Sequence, residues 1–113
     1  NINRRVSMSN TSLGAELQQL YHSIEILIIR EAVIGRKEQL RDKLQEVLNI
    51  IRELVDANVA AATQEYAEAR ESVEQVNAKI LVAIQDLAKV AETINNISKT
   101  LDILEKLLKS AKP

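Results

Sequence analysis

Apolar residues recur with a seven-residue period through the second half of the chain. No Gly or Pro interrupts residues 36 to 112, and two positions in nearly every heptad are apolar. This is the a and d pattern by which helices pack along a common seam. It predicts one continuous helix from about residue 63 to 111, roughly 70 Å long at 1.5 Å per residue. The predicted heptad core consists of Val59, Tyr66, Val73, Leu87, Val90, Ile94, Ile97, Leu101, Leu104 and Leu108.

The first half of the chain also has a helical pattern. Ser12 directly precedes its first apolar residue and is a suitable N-cap. Charged residues fill the opposite face of the segment after Gly35, as is typical of an amphipathic helix. The apolar positions step by three and four, at Leu13, Leu17, Leu20, Ile24 and Leu27 and, after Gly35, at Leu40, Leu44, Val47, Ile51 and Leu54.

Two junctions decide how these helices connect. Gly35 can end a helix, but residues 36–38 supply no capping side chain, and a glycine within a helix costs only about 1 kcal/mol relative to alanine. Between Asp56 and Asn58 the two patterns meet out of register. That mismatch indicates either a turn, with Thr63 capping the next helix, or a stutter within one helix.

The predicted fold class is all-α with coiled-coil-like packing. If the helix passes through Gly35 and turns near residues 57–62, the chain forms a long antiparallel hairpin with arms of about 11–56 and 63–111. A break at Gly35 gives a three-helix arrangement, in which two shorter helices pack along the long one. A further break at Asn95–Asn96 would give four helices, but the heptads run straight through that point.

Two short belts are apolar around most of the helix circumference, one near residues 24–29 and the other near 80–84. A two-helix hairpin covers only one side of each arm, so part of each belt would stay exposed. A homodimer in which two hairpins form a four-helix bundle buries both belts. The alternative is a monomeric bundle of three or four helices. The predicted association surface consists of Ile24, Ile26, Ile28, Ile29, Ile80, Leu81 and Ile84.

Composition narrows the possible functions. Aromatic residues make up 2% of the chain, with Tyr21 and Tyr66 alone, and there are two glycines, one proline and no cysteine. Few turn-forming residues argue against β-rich folds, and the lack of cysteine excludes disulfides and thiolate chemistry. The net charge of −1 lacks the basic excess of nucleic-acid binders. Residues 24–34 are too short and too charged to span a bilayer. We expect a cytoplasmic protein that binds no nucleic acid.

Candidate catalytic chemistry is sparse. His22 is the only histidine, and its sequence neighbours point to other faces of a helix. Glutamates spaced three apart at residues 65, 68, 71 and 74 resemble a solvated helix face, because the Glu-x-x-His pattern of diiron bundles is absent. The sequence therefore predicts no catalytic, cofactor-binding or metal site and no enzyme activity.

One stretch resembles a known class of helices. The Glu74–Gln75 pair and the Ala-, Ser- and Asn-rich heptads of residues 71–98 are similar to the signalling helices of bacterial chemoreceptors. The likeness covers less than a third of the chain and lacks the hairpin tip of that family. The length and arm plan are also similar to small secreted hairpins of the WXG type, although their Trp-x-Gly turn is absent.

The first ten residues are expected to lie outside the folded domain. The chain begins with Asn, and a natural start at Met8 would make residues 1–7 a vector remnant. Residues 1–10 are predicted to be disordered, and residues 11–113 to form a single helical-bundle domain. We expect a non-enzymatic, self-associating scaffold or adaptor that acts through protein–protein contacts. The alternative is a membrane-active or secreted helical protein, such as a toxin component or a translocated hairpin.

Overall fold

A computed structural model describes residues 12–57 and 63–111, which form a bundle of four α-helices. The helices are α1 (Leu13–Arg30), α2 (Ile34–Ala57), α3 (Gln64–Gln85) and α4 (Val90–Ala111), and a 3₁₀ turn (Leu87–Lys89) precedes α4. These two segments contain no strand, and the predicted all-α class is confirmed. Residues 1–11, which include the N-terminal segment predicted to be disordered, lie outside the described residues.

Helix α1 begins as the sequence predicts and ends before Gly35. The Ser12 hydroxyl accepts the N–H of Ala15 at 3.1 Å, which satisfies one free donor of the first turn. Helix α2 starts at Ile34, so Gly35 lies inside its first turn and is not the residue that breaks the chain. The break comes at Glu31, whose carboxylate accepts the N–H groups of Ala32 and Val33.

The second junction separates α2 from α3. Helix α2 ends at Ala57, and the Thr63 hydroxyl accepts the N–H of Tyr66 at 3.2 Å as the N-cap of α3. Residues 58–62 lie outside the described residues, and with them the predicted core residue Val59. Since α2 and α3 are separate helices in different positions of the bundle, the chain does not continue as one stuttered helix across this junction.

The prediction of one long helix over residues 63–111 is wrong. Helix α3 stops at Gln85, and Asp86 adopts an extended backbone conformation with φ −140° and ψ 91°. Its side chain then accepts the N–H of Ala88 at 3.3 Å and starts the 3₁₀ turn. The Ser72 and Thr100 hydroxyls are 2.9 Å apart, at positions centred on Asp86, so α4 folds back antiparallel along α3.

The helices pack in a ring in which α1 and α4 each contact both α2 and α3. Two hydrogen bonds show that α1 and α3 run in the same direction. Leu13 N–H donates to the Tyr66 hydroxyl at 2.9 Å, and further along both helices the Asn77 amide donates to Glu16. The Cα atoms occupy 40 × 40 × 18 Å, which excludes a 70 Å hairpin. One chain thus provides four helices, where a dimer of two hairpins was expected.

Aliphatic side chains fill the interior of this bundle. Most of the predicted heptad residues are buried there, namely Val73, Val90, Ile94, Ile97, Leu101, Leu104 and Leu108. Tyr66 and Leu87 are half-buried and pack against the core. The heptad pattern correctly marks residues that face the interior, because α3 and α4 both turn their apolar faces toward it. It does not reveal that the chain reverses between them.

Candidate association surface

The structure divides the two apolar belts between core and surface. Ile24 and Ile80 are fully buried, and Ile84 is nearly so. Ile28 is half-buried against the core. The remaining predicted association residues, Ile26, Ile29 and Leu81, are exposed. Only these exposed residues are free to contact a partner without unfolding the bundle.

Three further aliphatic side chains are exposed near the same helix termini. Val33 lies in the connection between α1 and α2, Ile34 is the first residue of α2, and Val82 lies near the end of α3. Because α1 and α3 run in the same direction, their C-terminal turns lie at the same end of the bundle. We define the exposed aliphatic residues of this end, each 46% to 76% exposed, as the distal patch: Ile26, Ile29, Val33, Ile34, Leu81 and Val82.

The corner between α1 and α2 is held by a buried carboxylate. The Glu31 side chain is 2% exposed, and its Oε2 accepts the N–H groups of Ala32 and Val33 at 3.1 and 3.0 Å. Its Oε1 is buried without a hydrogen bond, and the Arg36 guanidinium is the nearby cation, at 3.8 Å. These contacts fix the backbone that presents Val33 and Ile34 to solvent.

The opposite end of the bundle carries a second apolar feature. The start of α1, the last turns of α2 and the start of α3 enclose an open cleft of about 240 Å³. Val55 lies at this cleft and is 74% exposed. We define the proximal cleft by its lining residues, Leu13, Gly14, Leu17, Ile51, Leu54, Val55 and Tyr66.

Polar chemistry in the described part of the chain is dispersed. His22 is 65% exposed and pairs with Glu25 at 3.3 Å. On α3, Arg70 and Glu74 form an i,i+4 ion pair at 3.3 Å. Among residues 12–57 and 63–111, no cluster of three His, Asp or Glu side chains is placed to hold a metal ion. The ion pairs of the described residues thus join neighbouring turns of one helix or, at Glu31 and Arg36, the two sides of a corner.

No helix within the described ranges combines the length and the apolar character needed to cross a membrane. Comparison with protein-family models, with curated proteins and with solved structures gives no match.

The sequence did not indicate half of the distal patch, nor the exposed Val55 of the proximal cleft. Val33 and Ile34 occupy a corner whose position depends on the buried Glu31, which no periodic pattern indicates. Val55 follows the buried residues of α2 at a four-residue step and looks like a continuation of its stripe. Val82 belongs to the second belt. Its position on the helix, on a different face from Ile80 and Ile84, was the sequence feature that could have indicated its exposure.

Proposed function

We propose that this protein is a non-enzymatic helical scaffold or adaptor that associates with further copies of itself through the distal patch. The supporting observation is the exposure of six Ile, Leu and Val side chains at one end of a bundle whose interior is already filled. When a partner removes exposed apolar groups from water, the free energy of the system falls, which favours binding. A bundle with enough core of its own has no structural need for these residues.

The size of the patch favours a second copy as its occupant. Taking roughly 170 Å² for a fully exposed aliphatic residue, the six residues together leave on the order of 600 Å² accessible, of which the part at Val82 faces the groove between α3 and α4 with Lys79 and Lys89. Specific protein–protein interfaces begin at about 1,200 Å² in total, so the facing surface of the second copy would have to contribute an area similar to that of the distal patch. The contact area is thus near the lower limit for specific association, so association should depend on protein concentration.

A matched pair of lysine substitutions tests this proposal. Ile29→Lys places a charge in the distal patch, whereas Asn95→Lys places the same charge on an exposed position of α4. We expect sedimentation to show loss of association for Ile29→Lys and wild-type association for Asn95→Lys, with unchanged helix content in both. If Ile29→Lys associates as the wild type does, the distal patch is not the contact surface.

A membrane-active function is the second candidate. Arg30, Arg36 and Lys37 lie beside the distal patch, and basic residues flanking exposed aliphatic residues suit an anionic lipid surface. Under this alternative the protein is a secreted or translocated helical protein that inserts the corner between α1 and α2 into a bilayer. Flotation with anionic vesicles separates the two candidates. The membrane function would be favoured if the wild-type protein is monomeric, binds the vesicles, and loses that binding in the Ile29→Lys variant.

A further inference from the structure

We infer that copies of this protein associate head to tail, with the distal patch of one copy seated in the proximal cleft of the next. The inference rests on the proposed self-association and specifies its partner surface. Symmetric contact between two distal patches is the competing arrangement. Charge, shape and the position of the exposed apolar residues distinguish the two.

The distal patch has a basic border. Arg30 follows Ile29, and Arg36 and Lys37 follow Ile34 by two and three positions. The acid within this segment, Glu31, is buried and lies beside Arg36. Two solvent-facing acids flank the same residues, Glu25 beside Ile26 and Glu38 after Lys37, so the three basic residues of this border exceed its acids by one.

The proximal cleft has an acidic border. Each of its three helical segments has an acidic residue beside a lining residue, and Arg52 is the one basic residue in the same stretches. The last turns of α4 lie at this end too, since Glu105 is beside Glu53, and they add the exposed Lys106 and Lys109. Four of the acids are exposed, and the fifth, Glu16, is half-buried where it accepts the Asn77 amide. The acidic residues are Glu16, Glu53, Asp56, Glu65 and Glu68.

Charge complementarity therefore favours contact between unlike ends. In a symmetric distal–distal contact, Arg30, Arg36 and Lys37 would approach the same residues of the second copy, and like charges across an interface oppose binding. In a head-to-tail contact they face Glu53, Asp56 and the acids of α3. The same Coulomb interactions then attract the two copies and align them.

The shapes of the two ends also match. The distal patch includes a corner, at which Val33 and Ile34 extend into solvent. The proximal cleft is a concave, mainly aliphatic depression of about 240 Å³. This volume accommodates roughly two aliphatic side chains if each carbon needs about the 30 Å³ of a water molecule in the liquid. A convex apolar corner fills such a depression better than it fills another corner.

Head-to-tail contact has a consequence for assembly size. An assembly of any length has one free distal patch at one end and one free proximal cleft at the other. Such a heterologous arrangement grows into an open filament, or closes into a ring if the rotation between copies permits. The mass should therefore exceed that of a dimer as concentration rises.

Two opposite-charge variants test the orientation of the contact. Ile34→Glu places an acid on the distal corner, where it would meet the acidic cleft, and Val55→Lys places a base in the cleft, where it would meet the basic corner. Both residues are exposed. Glutamate at the start of α2 and lysine in its last turn suit the helix dipole, so both variants should fold. Ile29→Glu serves as a second distal variant.

We expect each variant alone to sediment at the monomer mass of 12.6 kDa. An equimolar mixture should restore association, because the intact distal patch of the Val55→Lys variant pairs with the intact proximal cleft of the Ile34→Glu variant. If Val55→Lys alone still forms a dimer, and mixing adds no new complex, the contact is symmetric and the head-to-tail inference is overturned. The proposed self-association would survive that result, whereas a monomeric wild type would refute both.

The dependence of association on salt concentration provides an independent test, because the two arrangements predict changes in opposite directions. Added salt screens charge–charge interactions between exposed groups. Head-to-tail association of the wild type should therefore weaken as the NaCl concentration rises, because attraction between unlike ends is lost. Strengthened association at high salt would indicate that like charges meet at the interface, which contradicts the inference.

Discussion

Helices α1 and α4 are both rich in leucine and isoleucine, yet the two helices differ in how many of these side chains are exposed. The large aliphatic side chains of α4 are buried or partly buried in the bundle, whereas α1 leaves Ile26 and Ile29 exposed outside its core-facing stripe. On α4 the apolar residues lie on one face, which is packed in the bundle. Helix α1 has such a face as well, and it also has apolar residues outside that face. The excess on α1 and its corner does not contribute to the core, and the proposed self-association rests on it.

The largest difference between the two helices should appear in truncation of their apolar residues. Leu104→Ala on α4 removes a fully buried side chain, and such changes cost about 2–5 kcal/mol of unfolding free energy. Ile29→Ala on α1 should change the stability of the dilute monomer by less than about 0.5 kcal/mol. Urea denaturation at low protein concentration measures both, and equal losses would mean that Ile29 belongs to the core.

The corner that follows α1 should be the next most sensitive place. Glu31→Ala leaves the N–H groups of Ala32 and Val33 without their acceptor, which should cost about 1–3 kcal/mol. Glu31→Gln keeps an acceptor oxygen at the same position and should lose less. Denaturant titration of both variants checks this order, and an alanine variant as stable as the glutamine variant would show that these hydrogen bonds do not stabilise the corner.

The corner that precedes α4 should depend on a weaker interaction. Asp86→Ala removes the side chain that accepts the Ala88 N–H, and loss of such a cap costs typically about 1 kcal/mol. Asp102→Ala, at an exposed site in the middle of α4, removes the same charge without a cap and serves as the matched control. Thermal unfolding should rank Asp86→Ala below the control, and identical melting temperatures would remove Asp86 as the cause of this break.

The smallest effect is expected on the polar face of α1. His22 and Glu25 form an ion pair only when the histidine is protonated, and both side chains are substantially exposed. His22→Ala should therefore change stability by less than about 0.5 kcal/mol and leave association unchanged. Denaturant titration together with sedimentation checks both expectations, and a clear loss of association would extend the contact surface to this face.

Local signals in the sequence predicted part of the fold. Ser12 and Thr63 are N-cap residues directly before apolar periodic segments, and the structure places them at the starts of α1 and α3. Asp86 was missed because Ala83 and Val90, one heptad apart on either side of it, are both fully buried. A heptad pattern records which residues face the core, and it is the same whether the helix continues or reverses.

The candidate site was only partly accessible from the sequence. Once Leu20, Ile24 and Leu27 define the buried stripe of α1, the helical phase of Ile26 and Ile29 places them off that stripe. The exposure of Val33 and Ile34 follows instead from a tertiary feature, the burial of Glu31 at the corner. The proximal cleft needs three helix ends to meet, which depends on the order and direction of the helices and not on any one segment.

The concentration dependence of the sedimentation mass of the unmodified protein tests the central claim most directly. If the exposed aliphatic residues serve self-association, the mass should rise above 12.6 kDa in the micromolar range and continue to increase with concentration. A mass that stays at 12.6 kDa up to the highest accessible concentration would contradict the account, because the distal patch would then have no partner in a second copy.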